Sequence, residues 1–185
     1  MKVMKKLIAT LALTAFFAAP AMAELKPGTV APQFVAPAFL AGNGTAVDLK
    51  AELKKGPVVL YFFPAAFTAG CNIEAHMFSQ AIKDFRAAGA TVIGMTAGNI
   101  DRLAEFSKSA EHCAGNFTVA SDPGAKIAAK YDALLALKPG WSSRTSYVIG
   151  RDGRIVYSYS DLSPKEHITR TLAAVRAIGV APKKP

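Results

Sequence analysis

Of the two cysteines in the chain, Cys71 stands where a thiol can become reactive. It closes the motif Pro64-x-x-x-Thr68-x-x-Cys71. The run before it, residues 58–63, is β-branched, aliphatic and aromatic throughout and ends at Pro64, the pattern of a strand buried on both faces. From Glu74 the period changes: Phe78, Ala81, Ile82 and Phe85 fall on one helical stripe that Gly89 stops. Cys71 therefore belongs to the first helical turn. Unpaired N–H groups and a partial positive charge there favour the nucleophilic thiolate, lowering a free pKa of about 8.5. A buried, inert thiol fits the same context, so residue types alone leave both readings open.

The elements around this unit alternate. Residues 90–96 form a second apolar strand. A helix capped by Asn99 or Asp101 is expected to run to about His112, with Ile100, Leu103, Phe106, Ala110 and Cys113 on its inward stripe. Residues 117–120 read as a short strand, and Ser121-Asp122-Pro123-Gly124 opens a short helix through about Tyr131. Residues 145–149 and 154–160 are strands joined by Gly150-Arg151-Asp152-Gly153, a hairpin signal. Ser163-Pro164-Lys165-Glu166 reads as a capping box opening a last helix that buries Ile168, Leu172, Val175 and Ile178. Residues 25–56 are rich in Pro, Gly and Ala, with short apolar pieces at 33–39 and 47–53. This order predicts an α/β fold, a mixed β-sheet sandwiched by helices.

The Pro64-x-x-x-Thr68-x-x-Cys71 motif after a buried strand resembles the active-site signature of the peroxiredoxins, thiol peroxidases with a thioredoxin-like fold. Phe67-Thr68-Ala69-Gly70-Cys71, followed by Glu74-Ala75, is nearest the Q-type, bacterioferritin-comigratory-protein branch. Ala31-Pro32-Gln33-Phe34 resembles the segment that opens many members, and the resemblance spans roughly residues 29–177. Arg144-Thr145-Ser146-Tyr147-Val148-Ile149 resembles the family's strand whose preceding arginine comes next to the active cysteine. Thioredoxin-like reductases place a cis-proline before that strand, and this chain has none between Gly140 and Ile149.

The resemblance implies a peroxidatic Cys71 that attacks hydrogen peroxide or an alkyl hydroperoxide and becomes a sulfenic acid. Thr68, the Cys71 N–H and Arg144 would hold the oxygens, with Pro64 shielding the thiolate. Glu74 would orient Arg144 or a loop amide, or else complement the helix dipole. Many Q-type members carry a resolving cysteine where this chain has His76, which either tunes Cys71 or lies on the surface. Cys113 would then resolve the sulfenic acid through a disulfide, or be a core residue in a one-cysteine enzyme served by an outside thiol, or staple the structure. The reductant would be thioredoxin-like, glutaredoxin-like or a small thiol. A thiol-disulfide redox protein, disfavoured by the missing Cys-x-x-Cys, and a non-catalytic binding protein remain the other classes.

No cofactor is implied. Cys71, His76, His112 and Cys113 lack paired zinc spacing, and the Cys-x-x-x-Cys of copper-delivery relatives is absent, so no metal is expected. The net charge is +9, but without a like-charge run or basic-aromatic interleaving it describes a solvated exterior, not a nucleic-acid partner. Lys2, Lys5 and Lys6, an apolar run at 7–19 and Ala21-Met22-Ala23 predict a cleaved signal peptide at 1–23. One thioredoxin-like domain is expected at 24–185, in the periplasm, where two cysteines can pair, with no stable membrane association. The tail after Ala177 holds no cysteine for a swapped-tail dimer, and Trp141 and Tyr131 are candidates for a dimer face or for core, leaving monomer or homodimer.

Overall fold

The structure, a computed structural model, describes residues 24–180; the expected signal peptide lies outside them. The element order is β1 (Val35–Leu40), β2 (Asn43–Asp48), α1 (Leu49–Lys55), β3 (Val58–Phe62), α2 (Ala69–Ala87), β4 (Thr91–Thr96), α3 (Leu103–Lys108), β5 (Thr118–Ser121), α4 (Lys126–Lys130), β6 (Thr145–Ile149), β7 (Ile155–Ser160) and α5 (Lys165–Val180). One seven-stranded sheet runs β2-β1-β5-β4-β3-β6-β7. β3, β4 and β5 pair in parallel; β6 and β7 add antiparallel on one side and β1 and β2 on the other. It is the expected mixed sheet with flanking helices.

β3 lies inside the sheet between β4 and β6, and every residue of it is buried. Successive side chains of a strand point to opposite faces, and here each face feeds its own core. Val58, Leu60 and Phe62 join Leu49, Leu53, Tyr131 and Tyr147 under α1 and α4. Val59, Tyr61 and Phe63 join Phe78, Phe85, Phe106 and Val175 under α2, α3 and α5, and both cysteines belong to this second core. Tyr61 stacks on Phe78 with ring centroids 4.3 Å apart, over Gly94 of β4, where a Cβ would lie 2.8 Å from the ring.

Three expectations change. The piece at 33–39 and the residues after it form a hairpin, β1–β2, turned by Ala41 (φ 51) and Gly42 (φ 84). The helix expected to run to His112 stops at Lys108, because Ser109 adopts an extended conformation (φ −59, ψ 126). Its start is a 3-10 turn, Ile100–Arg102, and residues 109–116 form turns with Ala114 and Gly115 at positive φ. The capping box before α5 does not form: Glu166 turns to Arg170, and the Ser163 N–H donates to the Asp161 carboxylate at 2.7 Å.

The loop after β3 is anchored to the segment after β4. Thr96 Oγ1 donates to the Pro64 carbonyl (3.1 Å), Asn99 Nδ2 to the Ala66 carbonyl (2.8 Å), and Ala65 bridges to Gly98. A Cβ on Gly98 would stand 2.4 Å from the Pro64 oxygen and 2.7 Å from the Ala65 Cβ, so glycine is required for this approach. Gly98→Ala is therefore expected to destabilise the protein by about 1–3 kcal/mol, read as a lower urea midpoint at unchanged slope.

Candidate active site

Thr68 is the N-cap of α2 and Cys71 lies in its first turn, as the sequence predicts, although the helix begins before Glu74. The Thr68 hydroxyl does not cap the helix; it donates to the Ala65 carbonyl at 3.0 Å and so holds the loop closed. Phe67 takes a positive φ of 61 to make that turn. Pro64 is half-buried at the mouth of the loop. Cys71 is a free thiol, 2% exposed.

Arg144 reaches this turn from the neighbouring strand. β6 pairs with β3 so that Thr145 faces Phe62, which sets Arg144 beside the end of β3. The preceding serines lock it in place: Ser142 Oγ donates to the Phe63 carbonyl (2.7 Å) and the Ser143 N–H to the Ala133 carbonyl (2.7 Å). The guanidinium is buried, and its donors diverge. Nη2 points at Cys71 Sγ (3.5 Å), Nη1 at the Glu74 carboxyl and the Gly70 carbonyl (3.4 Å), and Nε at the Leu162 carbonyl (2.8 Å). A Cβ on Gly70 would lie 2.9 Å from Nη2, so glycine leaves room for the cation.

Glu74 is wholly buried, one turn beyond Cys71. Burial pushes its carboxyl up to about 8, against the pull of Arg144. Behind it lie two residues that the sequence reading passed over. Ser146 on β6 and His167 on α5 are both fully buried, with Ser146 Oγ 2.8 Å from His167 Nδ1. Burial pushes the imidazole down to about 4. One signal was available: His167, Thr171 and Val175 share the buried face of α5, and a histidine in that row needs polar company.

The other chemistry-bearing residues lie farther out. Cys113 is fully buried, but in the 109–116 turn and not on a helix, and burial pushes its thiol far up. His76 pairs with Gln80 one turn along α2 (3.0 Å) and not with Cys71; with Asn72, Met77, Glu111 and His112 it lines an open groove. His112 packs against Phe106 and Phe67. Among the described residues no group of three His, Cys, Asp or Glu is placed to hold a metal ion. Tyr131 belongs to the core and gives its hydroxyl to the Pro32 carbonyl at 2.7 Å.

Comparison with known proteins meets this geometry. The AhpC/TSA family model matches residues 27–158. A putative chloroplastic peroxiredoxin Q of Oryza sativa subsp. indica is 31% identical over 110 residues, 59% of this chain and 49% of that protein. The chloroplastic peroxiredoxin Q of Arabidopsis thaliana is 33% identical over 109 residues, 58% of this chain and 49% of that protein. The chain thus spans about half the length of the curated relatives it matches. Among solved structures, peroxidoxin BcpB from Mycobacterium tuberculosis superposes with a TM-score of 0.74 at 30% identity, covering 83% of this chain and 98% of that one. AhpC from the same organism, at 18% identity and a TM-score of 0.71, covers 88% of this chain and 97% of that one and shares the fold. The periplasmic expectation is overturned: the curated relatives are named as chloroplastic. A strand, a loop and a helix N-terminus that set a cysteine under an arginine agree with these matches, and the chain belongs to the AhpC/TSA family, the peroxiredoxins, with its likeness on the peroxiredoxin Q side.

Proposed function

We propose that the protein is a thiol-dependent peroxidase with Cys71 as its nucleophile. The observation that carries this reading is the buried guanidinium of Arg144, 3.5 Å from Cys71 Sγ on the first turn of α2. A fixed cation and a helix N-terminus both stabilise negative charge on that sulfur. The thiolate attacks the terminal oxygen of a hydroperoxide; the S–O bond forms as the O–O bond breaks. Sulfur is oxidised to a sulfenic acid, and the leaving oxygen, now an alkoxide or hydroxide, takes up a proton and departs as alcohol or water.

Arg144 and the Cys71 N–H serve this step as donors aimed at the oxygens where charge develops. Thr68 contributes as an acceptor. Its own proton is committed to the Ala65 carbonyl, so its oxygen lone pairs are free to receive the hydroperoxide O–H. Pro64 limits water at the thiolate. Glu74 holds Arg144 in place through Nη1, beside the Nη2 that faces the sulfur.

Return of the sulfenic acid requires a thiol. Cys113 shares the apolar compartment of Cys71, and condensation of its thiol with the sulfenic acid gives a disulfide and water. Burial keeps that thiol protonated, so the 109–116 turn must open before Cys113 can attack. The same burial favours a second reading, in which Cys113 is core and an outside thiol does the work.

Treatment of the reduced protein with one equivalent of hydrogen peroxide, followed by thiol blocking and intact mass, tests both. Loss of two hydrogens with Cys71 and Cys113 in one peptide pair is expected. A gain of one oxygen on Cys71 with Cys113 alkylated selects the one-cysteine reading, and an unchanged mass after minutes rejects the peroxidase. Arg144→Lys, which keeps the charge but not the fork, is expected to slow Cys71 oxidation about 100-fold in stopped-flow measurements.

A further inference from the structure

One buried polar atom at the centre of the site has no partner: Oε1 of Glu74. Its sister oxygen is held by Arg144. The ring nitrogen Nδ1 of His167 lies 3.9 Å from Oε1. The tautomer of His167 follows from its other nitrogen. Nε2 is 3.0 Å from the Asp161 carbonyl, a pure acceptor, so Nε2 carries the hydrogen and Nδ1 the lone pair. The Ser146 hydroxyl at 2.8 Å donates to that lone pair.

A carboxylate with one oxygen unpartnered inside a protein is costly, and the neutral Nδ1 3.9 Å away has no proton to offer it. We propose that His167 is a positioning residue whose unprotonated Nδ1, offering Oε1 no hydrogen bond, keeps Glu74 uncharged and so leaves the positive charge of Arg144 to the Cys71 sulfur. This rests on the reading of Cys71 as the nucleophile. The buried site then holds one negative charge beside Arg144, on Glu74 or on Cys71, and His167 assigns it to Cys71. The directions of the two titrations agree, the carboxyl being pushed up to about 8 and the imidazole down to about 4, both by burial.

The charged and titratable groups facing Glu74 are Arg144 ahead of β6, Cys71 on α2, His167 on α5 and the Tyr61 hydroxyl of β3, which burial keeps protonated. Those facing His167 are Arg144, Asp161 and the Tyr159 ring. Replacing the Nδ1 lone pair with a group able to donate to Oε1 favours the ionised form of the carboxyl. Glu74 then takes the negative charge, and Cys71 forms its thiolate only at higher pH.

The test is the pH dependence of Cys71 alkylation by iodoacetamide, resolved by peptide mass, beside its rate with hydrogen peroxide. His167→Gln, chosen to retain an N–H for the Asp161 carbonyl while losing Nδ1, is expected to raise the midpoint of the alkylation rise by about one pH unit and slow both reactions about tenfold at pH 7. Ser146→Ala removes the donor that offsets the Nδ1 lone pair facing Glu74 and is expected to lower the midpoint. Damage to a merely structural network would move both variants the same way, and that result, or an unmoved midpoint in both, overturns the proposal. If thermal melting shows His167→Gln unfolded, Ser146→Ala decides alone: a midpoint equal to or above that of the native protein overturns it. A native protein inert to peroxide whose variants still shift in opposite directions rejects the peroxidase reading and keeps the assignment of His167.

Discussion

The burial of a permanent cation, Arg144, is the constraint on which the rest of the site depends. A guanidinium removed from water must have its donors satisfied and its charge offset, or the desolvation cost of several kcal/mol stands uncompensated. Here its partners come from two separate places: the first turns of α2, which give the Gly70 carbonyl and a Glu74 carboxyl that burial inclines to stay neutral, and the residues ahead of α5. The one soft partner left for its charge is the sulfur of Cys71. A cation that its surroundings leave short of negative charge favours a thiolate beside it, and this makes the arginine more than an ordinary ion-pair partner.

The sheet supplies the precision. Arg144 and the Cys71 loop are far apart in sequence but sit at neighbouring strand ends, because β3 and β6 pair in a register that sets Phe62 against Thr145. A slip of one residue would turn every β6 side chain to the wrong face. That slip is resisted from both sides, since Tyr147 belongs to one core and Val148 to the other. Ser142 and Ser143 then pin the residues just before Arg144 to carbonyls outside β6. The position of a 3.5 Å contact is thereby fixed by packing on two faces.

Much of this was legible in the sequence, for reasons that can be named. β3, β4 and the β6–β7 hairpin announce themselves through unbroken apolar runs and an Asp-Gly turn. The motif around Cys71, with Arg144, marks two of the parts the structure brings together. The β1–β2 hairpin was not legible because its turn is Ala-Gly and its inward residues include Ala36 and Ala38, too small to make a clear alternating pattern. The third helix was drawn too long because Cys113 continues its apolar spacing; inward burial persists there through turns after the helix has ended. Ser146 and His167 were missed for another reason. Ser146 lies inside the motif that begins at Arg144 but was given no role, His167 has no motif, and the two meet only because α5 packs against β6 beside the first turns of α2.

The two cysteines show how little a shared compartment decides about reactivity. Both are buried in one apolar core, and both are free thiols. Cys71 has a helix N-terminus beneath it and a guanidinium beside it. Cys113 has neither, and burial without compensation holds it as a thiol. An exchange of roles between them would require moving the cation, which the serines ahead of β6 forbid. Cys113 can become reactive only by leaving its site. The segment that holds it consists of turns tied by backbone bonds, Ala114 N–H to the Ser109 carbonyl (2.8 Å) and Gly115 N–H to the Ser107 carbonyl (2.9 Å), with no regular element of its own. Segments of that kind open at lower cost than helices or central strands. The asymmetry in surroundings is matched by one in mechanical freedom: Cys71, the proposed nucleophile, is fixed in the first turn of α2, and Cys113 rides on the part of the core best able to move.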